Sequence, residues 1–222
     1  MLTRWFSRII LGTLALIVLG IAWFVIARPV VVLPRLNLAP GFGLKDAAGQ
    51  LVTSEDGRGA VTLYTFAYSR CTQDCTSTYQ NLQALDAQFK DRTALTPPLR
   101  LITLTLDPAH DTPEILKAAP LPFTPGALNW QWLTGSEADM KRVAGTGFQV
   151  PYTRKPDGSL FFEPRYVLVD GTGLVRMDLP GYRVTPAVLA SYIDILYQEI
   201  GQAEGVNRLA YEAAHFFACY PR

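Results

Sequence analysis

A charge-free apolar run over residues 9–27 constrains this chain more strongly than any other part of its sequence. At about 1.5 Å of rise per residue, a helix of that length nearly crosses a hydrocarbon core of roughly 30 Å. The run also exceeds the roughly 7 to 15 apolar residues of a usual signal sequence. Although Val25, Ile26 and Ala27 form an acceptable cleavage site, this length favours a retained transmembrane anchor over a cleaved leader.

The charges that flank this run indicate its orientation only weakly. Arg4 and Arg8 precede the run, and Arg28 and Arg35 follow it, so both sides carry similar positive charge. The amino terminus adds one more positive charge to the leading segment, which favours a cytoplasmic start. We therefore expect a single-pass protein of the cell membrane whose domain lies on the extracytoplasmic side.

The rest of the chain has the size and the charge of one ordinary domain. A length of 222 residues allows one domain together with an anchor and short extensions. A formal net charge of +1, with 18% charged residues, leaves no basic surface for a nucleic-acid backbone. Nucleic acid is therefore not an expected partner. Three cysteines are too few for a disulfide-stapled fold, so their positions matter more than their number.

The first half of the domain alternates strand and helix signals. Residues 42–52 predict a hairpin, and residues 61–68 are rich in the β-branched and aromatic side chains of a buried strand. Apolar residues then recur at helical spacing within residues 69–90. Cys71 and Cys75 consequently lie at a strand-to-helix junction.

The second half continues this alternation and ends in helices. Residues 99–106 predict a second buried strand, and the Asp and Thr ahead of Pro113 predict the start of a helix. The remaining stretches predict, in order, a short strand, a helix capped by Ser136, two hairpins and two terminal helices: residues 129–135, 136–147, 148–181, 185–201 and 205–220.

Six stretches of the chain resemble the SCO/SenC family of extracytoplasmic copper and thiol proteins linked to cytochrome oxidase assembly, over about residues 41–200. They are, in order, FGLKDAAGQLV, VTLYTFAYSR, CTQDC, TLDPAHDTPEIL, WLTGS and YVLVDGTGLV. The stretch TLDPAHDTPE is the most specific of them, because a CxxxC pair alone is common. The resemblance implies an α/β, thioredoxin-like fold with an N-terminal transmembrane helix and a C-terminal helical extension.

The anchor and the resemblance together predict how the chain is organised. The predicted segments are a cytoplasmic start, a transmembrane anchor, a stalk, a thioredoxin-like SCO/SenC domain and a C-terminal helical extension: residues 1–8, 9–27, 28–40, 41–203 and 204–222. Prolines recur in the stalk and block helix continuation, so we expect an extended segment there.

The sequence departs from the family pattern at two places. The family usually has a proline after each cysteine, and Thr72 and Thr76 stand at these positions. The family's copper-binding histidine falls six residues before the LVD triplet, where this chain has Phe162. Phenylalanine cannot ligate a metal, so the resemblance implies a copper site without its imidazole.

Cys71 and Cys75 are the residues that we expect to carry the chemistry. A thiolate is the nucleophile of disulfide exchange and also the soft ligand that copper prefers, so the pair suits either a catalytic role or metal binding. A helix N-terminus and the neighbouring Arg70 both favour the thiolate form. A static disulfide, or two inert buried thiols, is the alternative.

Pro164 is a further candidate for the catalytic site. It lies six residues before Asp170 and matches, by resemblance, the proline of thioredoxin-like reductases that follows a cis peptide bond and faces the dithiol. Such a residue would be a platform for the backbone of a substrate. An ordinary trans proline that enters a strand is the alternative, since only about 5 to 6% of X-Pro bonds in folded proteins are cis.

Other metal ligands are scarce in the sequence. The chain contains two histidines, His110 and His215. His110 lies in the DPAHD stretch, where a solvated loop residue is the alternative to a ligand. His215 and Cys219 are one helical turn apart, which suits either a metal clamp or ordinary packing. Glu163 has a hard carboxylate that soft copper disfavours, so we expect it to be a surface charge.

The leading hypothesis is a thiol–disulfide oxidoreductase of the SCO type, which requires no cofactor and acts in the assembly of an oxidase copper centre. The resemblance implies that its partner is a protein with a cysteine pair, an oxidase subunit. The alternative is a copper metallochaperone that binds the metal through Cys71 and Cys75 with a non-standard third ligand. A third hypothesis is an assembly scaffold whose thiols only staple the loop. We expect Cys219 to stay outside the redox chemistry.

Overall fold

The computed structural model describes residues 2–27, 30–71, 73–90, 92, 95–118, 126, 128–203, 205 and 207–217. Its contacts divide the chain into two compact units. One unit is Arg35–Asp194, and the other combines Met1–Pro34 with Ile195–Arg222.

A seven-stranded mixed sheet forms the centre of the Arg35–Asp194 unit. Its strands, together with a separate two-stranded hairpin, are β1 (Gly43–Asp46), β2 (Leu51–Thr53), β3 (Val61–Ala67), β4 (Leu99–Thr105), β5 (Asn129–Thr134), β6 (Tyr152–Arg154), β7 (Leu160–Phe162), β8 (Arg165–Val169) and β9 (Val175–Pro180). The order in the sheet is β2-β1-β5-β4-β3-β8-β9, and β6 pairs with β7 alone. The predicted hairpins and buried strands are therefore confirmed.

Strand β3 lies inside the sheet and leads to the thiol pair. All seven of its residues are buried. It pairs in parallel with β4 and antiparallel with β8, so both of its edges are hydrogen-bonded. A strand covered on both faces needs a continuous apolar or β-branched sequence, which explains why residues 61–67 do not alternate with charged residues.

The chain contains six α-helices among the described residues. They are α1 (Leu2–Ala27), α2 (Gln73–Phe89), α3 (Pro113–Ala118), α4 (Glu137–Met140), α5 (Pro186–Gln202) and α6 (Asn207–Phe217). Helix α4 begins as predicted, because the Asp139 N–H donates to Oγ of Ser136 at 3.1 Å. The helix predicted over residues 136–147 is present, and its second half, Lys141–Gly147, is a π-helix.

The unit of Met1–Pro34 and Ile195–Arg222 contains the apolar helix α1. The window Trp5–Trp23 has a mean hydropathy of 2.0, and none of it is buried. By length and composition it is the one helix among the described residues that could cross a membrane. A core helix of a soluble domain would be covered by its neighbours, so the exposed side chains of α1 support a span or a signal sequence.

A small apolar cluster holds the carboxyl-terminal part of the same unit together. Val32 packs with Tyr211 and Ala214 of α6. Glu199 of α5 is 5% exposed, and its Oε2 accepts a hydrogen bond from the Leu33 N–H at 3.3 Å. The segment that follows α1 is therefore tied to the terminal helices by a buried carboxylate.

Candidate functional site

Cys71 and Cys75 form a disulfide at the junction of β3 and α2. Their Cα atoms are 5.8 Å apart, which lies within the range that a disulfide spans without backbone movement. Cys71 follows a turn in which its N–H donates to the Tyr68 carbonyl at 2.9 Å. Cys75 lies in the first turn of α2. The predicted pairing of these two residues is therefore confirmed.

The disulfide is nearly covered, and its two cysteines are not equally accessible. Cys71 is 8% exposed, whereas Cys75 is 1% exposed. Both belong to the main apolar core cluster. A partner that approaches from solvent consequently reaches Cys71 first. Thr76 is exposed beside the pair, and Thr72 lies outside the described residues.

Two buried carboxylates of the β4–α3 loop brace the segment before Cys71. Both oxygens of Asp111 accept hydrogen bonds, from the backbone N–H of Ser69 at 3.0 Å and from the hydroxyls of Ser69 and Thr105. Asp107 accepts from Nη2 of Arg70 at 2.6 Å. The DPAHD stretch, predicted only as a family signature, is thus the support of the thiol loop.

Asp107 also reaches the β6–β7 hairpin. Its second oxygen accepts from Nη2 of Arg154 at 2.6 Å, and its side chain is fully buried. Burial alone would raise the pKa of Asp107, but the hydrogen bonds from Arg154 and Arg70 outweigh it and hold the pKa below its usual value. The charge that Arg70 offers to Cys71 is therefore partly compensated by Asp107.

Phe162 fills the position at which the family has its copper-binding histidine. Its side chain is 1% exposed and belongs to the same core cluster as Cys71 and Cys75. Its ring meets the ring of Tyr68 edge to face, with centroids 6.2 Å apart. This chain therefore has a buried aromatic ring, and no imidazole, at the position that the resemblance gives to a copper ligand.

Pro164 is buried between β7 and β8, and its peptide bond is trans. Thr96–Pro97 is the cis peptide bond among the described residues, so of the two alternatives for the bond before Pro164 the structure has the trans one. The Gly181 N–H donates to the Pro164 carbonyl at 2.5 Å. A Cβ at Gly181 would lie 2.6 Å from Cβ of Pro164, so glycine is required for this close approach. The Pro164 carbonyl is thus already occupied, and a substrate platform there stays a prediction.

Neither histidine of the chain stands at position 162, where the resemblance places a copper ligand. His110 is half-buried in the β4–α3 loop, where its N–H donates to the Asp107 carbonyl at 3.0 Å. His215 contacts Glu199, with Nε2 and Oε1 3.0 Å apart, and Cys219 lies outside the described residues. Glu163 is exposed, as expected of a surface charge. Within the part of the chain that is described, no group of three His, Cys, Asp or Glu side chains could hold a metal ion.

Sequence reasoning missed Asp107, Asp111 and Arg154. A signal was present, because two carboxylates directly after a buried strand must find partners if they are buried with it. The partner of Asp107 on β6 could not be found in this way, since Arg154 is far away along the chain.

Comparison with known proteins places this site in a family. A family model described as SCO1/SenC matches residues 33–198. A protein of Stutzerimonas stutzeri whose name proposes copper binding is 28% identical over 170 residues, which are 72% of this chain and 81% of that protein. The crystal structure of a SCO1/SenC family lipoprotein from Bacillus anthracis is 26% identical, with a TM-score of 0.65 over 78% of this chain and 100% of that one.

A second solved structure has the same fold. It concerns a disulfide switch in BsSco, a member of the Sco family of cytochrome c oxidase assembly proteins, and it is 26% identical, with a TM-score of 0.60 over 74% of this chain and 95% of that one. These matches confirm the α/β, thioredoxin-like fold, with its N-terminal apolar helix and C-terminal helical part. By sequence and by structure, the chain belongs to the SCO1/SenC family.

Proposed function

We propose that this chain is a membrane-anchored thiol–disulfide oxidoreductase of the SCO type, with its domain outside the cytoplasm. Its client would be the cysteine pair of a protein partner, an oxidase subunit whose copper centre is being assembled. The observation that carries the proposal is the disulfide of Cys71 and Cys75 at a strand-to-helix junction, in the same core cluster as Phe162. Membership of a family with cytochrome c oxidase assembly proteins supports the choice of client.

The exchange begins from the reduced pair. The thiolate of Cys71, the more exposed of the two, attacks one sulfur of a client disulfide, and the other client sulfur leaves as a thiolate. Cys75 then attacks the sulfur of Cys71 and releases the second client thiolate. The client gains two electrons and becomes a dithiol, whereas this chain ends with the disulfide that the structure shows. An external dithiol must reduce the chain again before the next cycle.

Copper delivery is the second candidate function. Two cysteine sulfurs in one short loop suit Cu(I), and copper binding is proposed for the relative from Stutzerimonas stutzeri. The described residues give no third ligand beside them, so they do not fit a site of two thiolates and an imidazole. A static assembly scaffold remains the third candidate.

Single cysteine variants test the proposed exchange. The full chain in detergent, pre-reduced with a dithiol, is mixed with a peptide that contains an intramolecular disulfide, and thiols are quantified after alkylation. We expect Cys71→Ser to abolish peptide reduction and Cys75→Ser to accumulate a mixed disulfide at Cys71 without turnover. Cys219→Ser is the control and should retain nearly full activity.

Two results would contradict this assignment. One is full activity of the Cys75→Ser variant, which would show that no resolving cysteine is needed. The other is a disulfide between Cys219 and either loop cysteine in mass spectra of the oxidised chain, because the proposed cycle leaves Cys219 unbonded.

A further inference from the structure

A buried carboxylate holds two guanidinium groups together beside the disulfide. Each oxygen of Asp107 accepts one hydrogen bond at 2.6 Å, one from Arg70 and one from Arg154. Arg70 directly precedes Cys71 in the chain. Arg154 comes from the hairpin that also carries Phe162. Two positive charges from separate elements therefore meet at one point next to the thiol loop.

These guanidinium groups have donors left for another anion. The Asp107 side chain is fully buried, whereas the side chains of Arg70 and Arg154 are 53% and 47% exposed. Each uses a single Nη2 for Asp107 and not the two-pronged contact that a guanidinium can make with a carboxylate. Among the described residues Arg70 has no other hydrogen-bond partner, and Arg154 adds only the Gly158 carbonyl at 3.1 Å.

The carboxylates described near Arg70 and Arg154 already have partners. Asp107 is enclosed by the two arginines, and Asp111 accepts hydrogen bonds from Ser69 and Thr105. Glu137, which acts electrostatically on Arg154, is paired with Lys141 at 2.8 Å. Among the described residues, the guanidinium groups of Arg70 and Arg154 are therefore the exposed charges next to Cys71 that remain available to a partner.

We propose that Arg70 and Arg154 form an anion-binding clamp that selects clients with an acidic residue next to the reacting cysteines. The inference rests on the proposed thiol–disulfide exchange and names the chemical class of its client. A client carboxylate that binds both guanidinium groups places the neighbouring client disulfide against Cys71. Electrostatic complementarity of this kind acts mainly on the rate of encounter, so the selection appears in the rate of exchange.

The test uses three synthetic peptides with the same intramolecular disulfide, flanked by Glu, by Gln or by Lys. The rate at which each peptide oxidises the pre-reduced full chain in neutral detergent is divided by its rate with dithiothreitol, which removes differences in the peptides' own reactivity. We expect the acidic peptide to react roughly threefold to tenfold faster than the neutral one, and the basic peptide to react more slowly. Raising the salt from about 0.05 to 0.5 M should reduce these ratios, because mobile ions screen exposed charges.

Variants assign the preference to the clamp. Arg70→Gln and Arg154→Gln should each lower the ratio of acidic to neutral peptide towards one. Arg58→Gln is the matched control: it removes an equally exposed arginine, paired with Glu55, before the start of β3, and should leave the ratio unchanged. Asp74→Asn removes the one acidic residue between the two cysteines in the sequence and should raise the ratio.

The possible outcomes distinguish a failure of the anion-binding clamp from a failure of the proposed thiol–disulfide exchange. Equal corrected rates for the three peptides, with exchange intact, would overturn the clamp and leave the oxidoreductase standing. A preference that persists in both Arg70→Gln and Arg154→Gln would also overturn it. Failure to react with any peptide, the neutral one included, would overturn the proposed exchange and the clamp together.

Discussion

Phe162 is buried against Tyr68, in the same core cluster as both cysteines of the disulfide. Its ring leaves two sulfur atoms as the donors of any copper site at the loop. A thiolate pair still attracts Cu(I), but an imidazole would add a third ligand of a type that copper accepts readily. A phenylalanine at position 162 therefore favours thiol–disulfide exchange over copper binding at this loop.

Replacing Phe162 with histidine should strengthen Cu(I) binding by at least about tenfold, because it supplies the missing imidazole. Binding to the reduced full chain is measured by competition with a Cu(I)-specific chelator. Phe161→His is the matched control, since Phe161 is the preceding residue of β7 but is 60% exposed. Equal and very tight binding by the natural chain and by Phe162→His would contradict this prediction and favour the metallochaperone.

At the scale of residues, the sequence predicted the disulfide but not its supports. Cys71 and Cys75 are close in the chain, so a local pattern was enough to pair them. The contact between Asp107 and Arg154 joins the β4–α3 loop to strand β6, which only tertiary folding brings together. Local propensity carries no information about such a contact.

At the scale of elements, Asp107 joins three pieces of structure: the thiol loop, the β4–α3 loop and the β6–β7 hairpin. A carboxylate with a lowered pKa stabilises the folded state at pH values above its ordinary pKa of 3.8. That contribution is lost as the pH falls through the lowered value, when the carboxyl group is protonated. We therefore expect the contact that Asp107 makes between the β6–β7 hairpin and the thiol loop to weaken only at acidic pH.

Asp107→Asn should lower the free energy of unfolding by about 1 to 3 kcal/mol at neutral pH, because it removes a buried acceptor of two charged hydrogen bonds. Thermal unfolding of the full chain in detergent, followed by circular dichroism, measures the change. The difference from the natural chain should shrink as the pH drops well below 4, where the natural carboxylate is also lost.

Asp194→Asn provides the matched control for this prediction. Asp194 pairs with Arg92 at the surface, and such pairs contribute less than about 1 kcal/mol. A loss of stability in Asp107→Asn no larger than that of Asp194→Asn would show that the buried bridge contributes little. A loss that becomes larger in acid than at neutral pH would contradict the lowered pKa of Asp107, because the natural chain should approach the variant as its carboxylate is protonated.

The order of strands and helices followed from periodicity, and the π-helix after α4 did not. Its wider turn is visible in the Phe148 N–H, which donates to the Val143 carbonyl at 2.8 Å. Gly147 lies so close to Pro40 that a Cβ there would be 2.5 Å from Cβ of the proline. The π-helix thus ends in a close contact with Pro40, which no pattern within residues 136–147 could reveal.

At the scale of the whole molecule, the apolar helix α1 bears on the proposed location of the thiol loop. The window Trp5–Trp23 is long enough to cross a bilayer, and none of it is buried. The proposed orientation rests on the amino-terminal charge of the leading segment and on the resemblance to an extracytoplasmic family.

A membrane-impermeant maleimide should label the reduced thiol loop in intact cells, because we expect the domain to lie outside the cytoplasm. The experiment uses a Cys219→Ser background, so that labelling reports only on Cys71 and Cys75. A Thr3→Cys variant that lacks the loop cysteines is the control for the other side and should react only after lysis, because Thr3 precedes the apolar window. If instead the loop cysteines require lysis and Thr3→Cys does not, the topology is inverted.

The low solvent exposure of Cys71 and Cys75 also affects how fast small thiols can reduce their disulfide. Cys71 is 8% exposed and Cys75 is 1% exposed, so a small thiol in solution can approach either sulfur from few directions. Thiol–disulfide exchange needs an attacking sulfur in line with the bond that breaks, and the burial of both cysteines in the apolar core restricts the approach along that line. We therefore expect the disulfide to react slowly with small dissolved thiols and faster with a protein that docks beside Cys71.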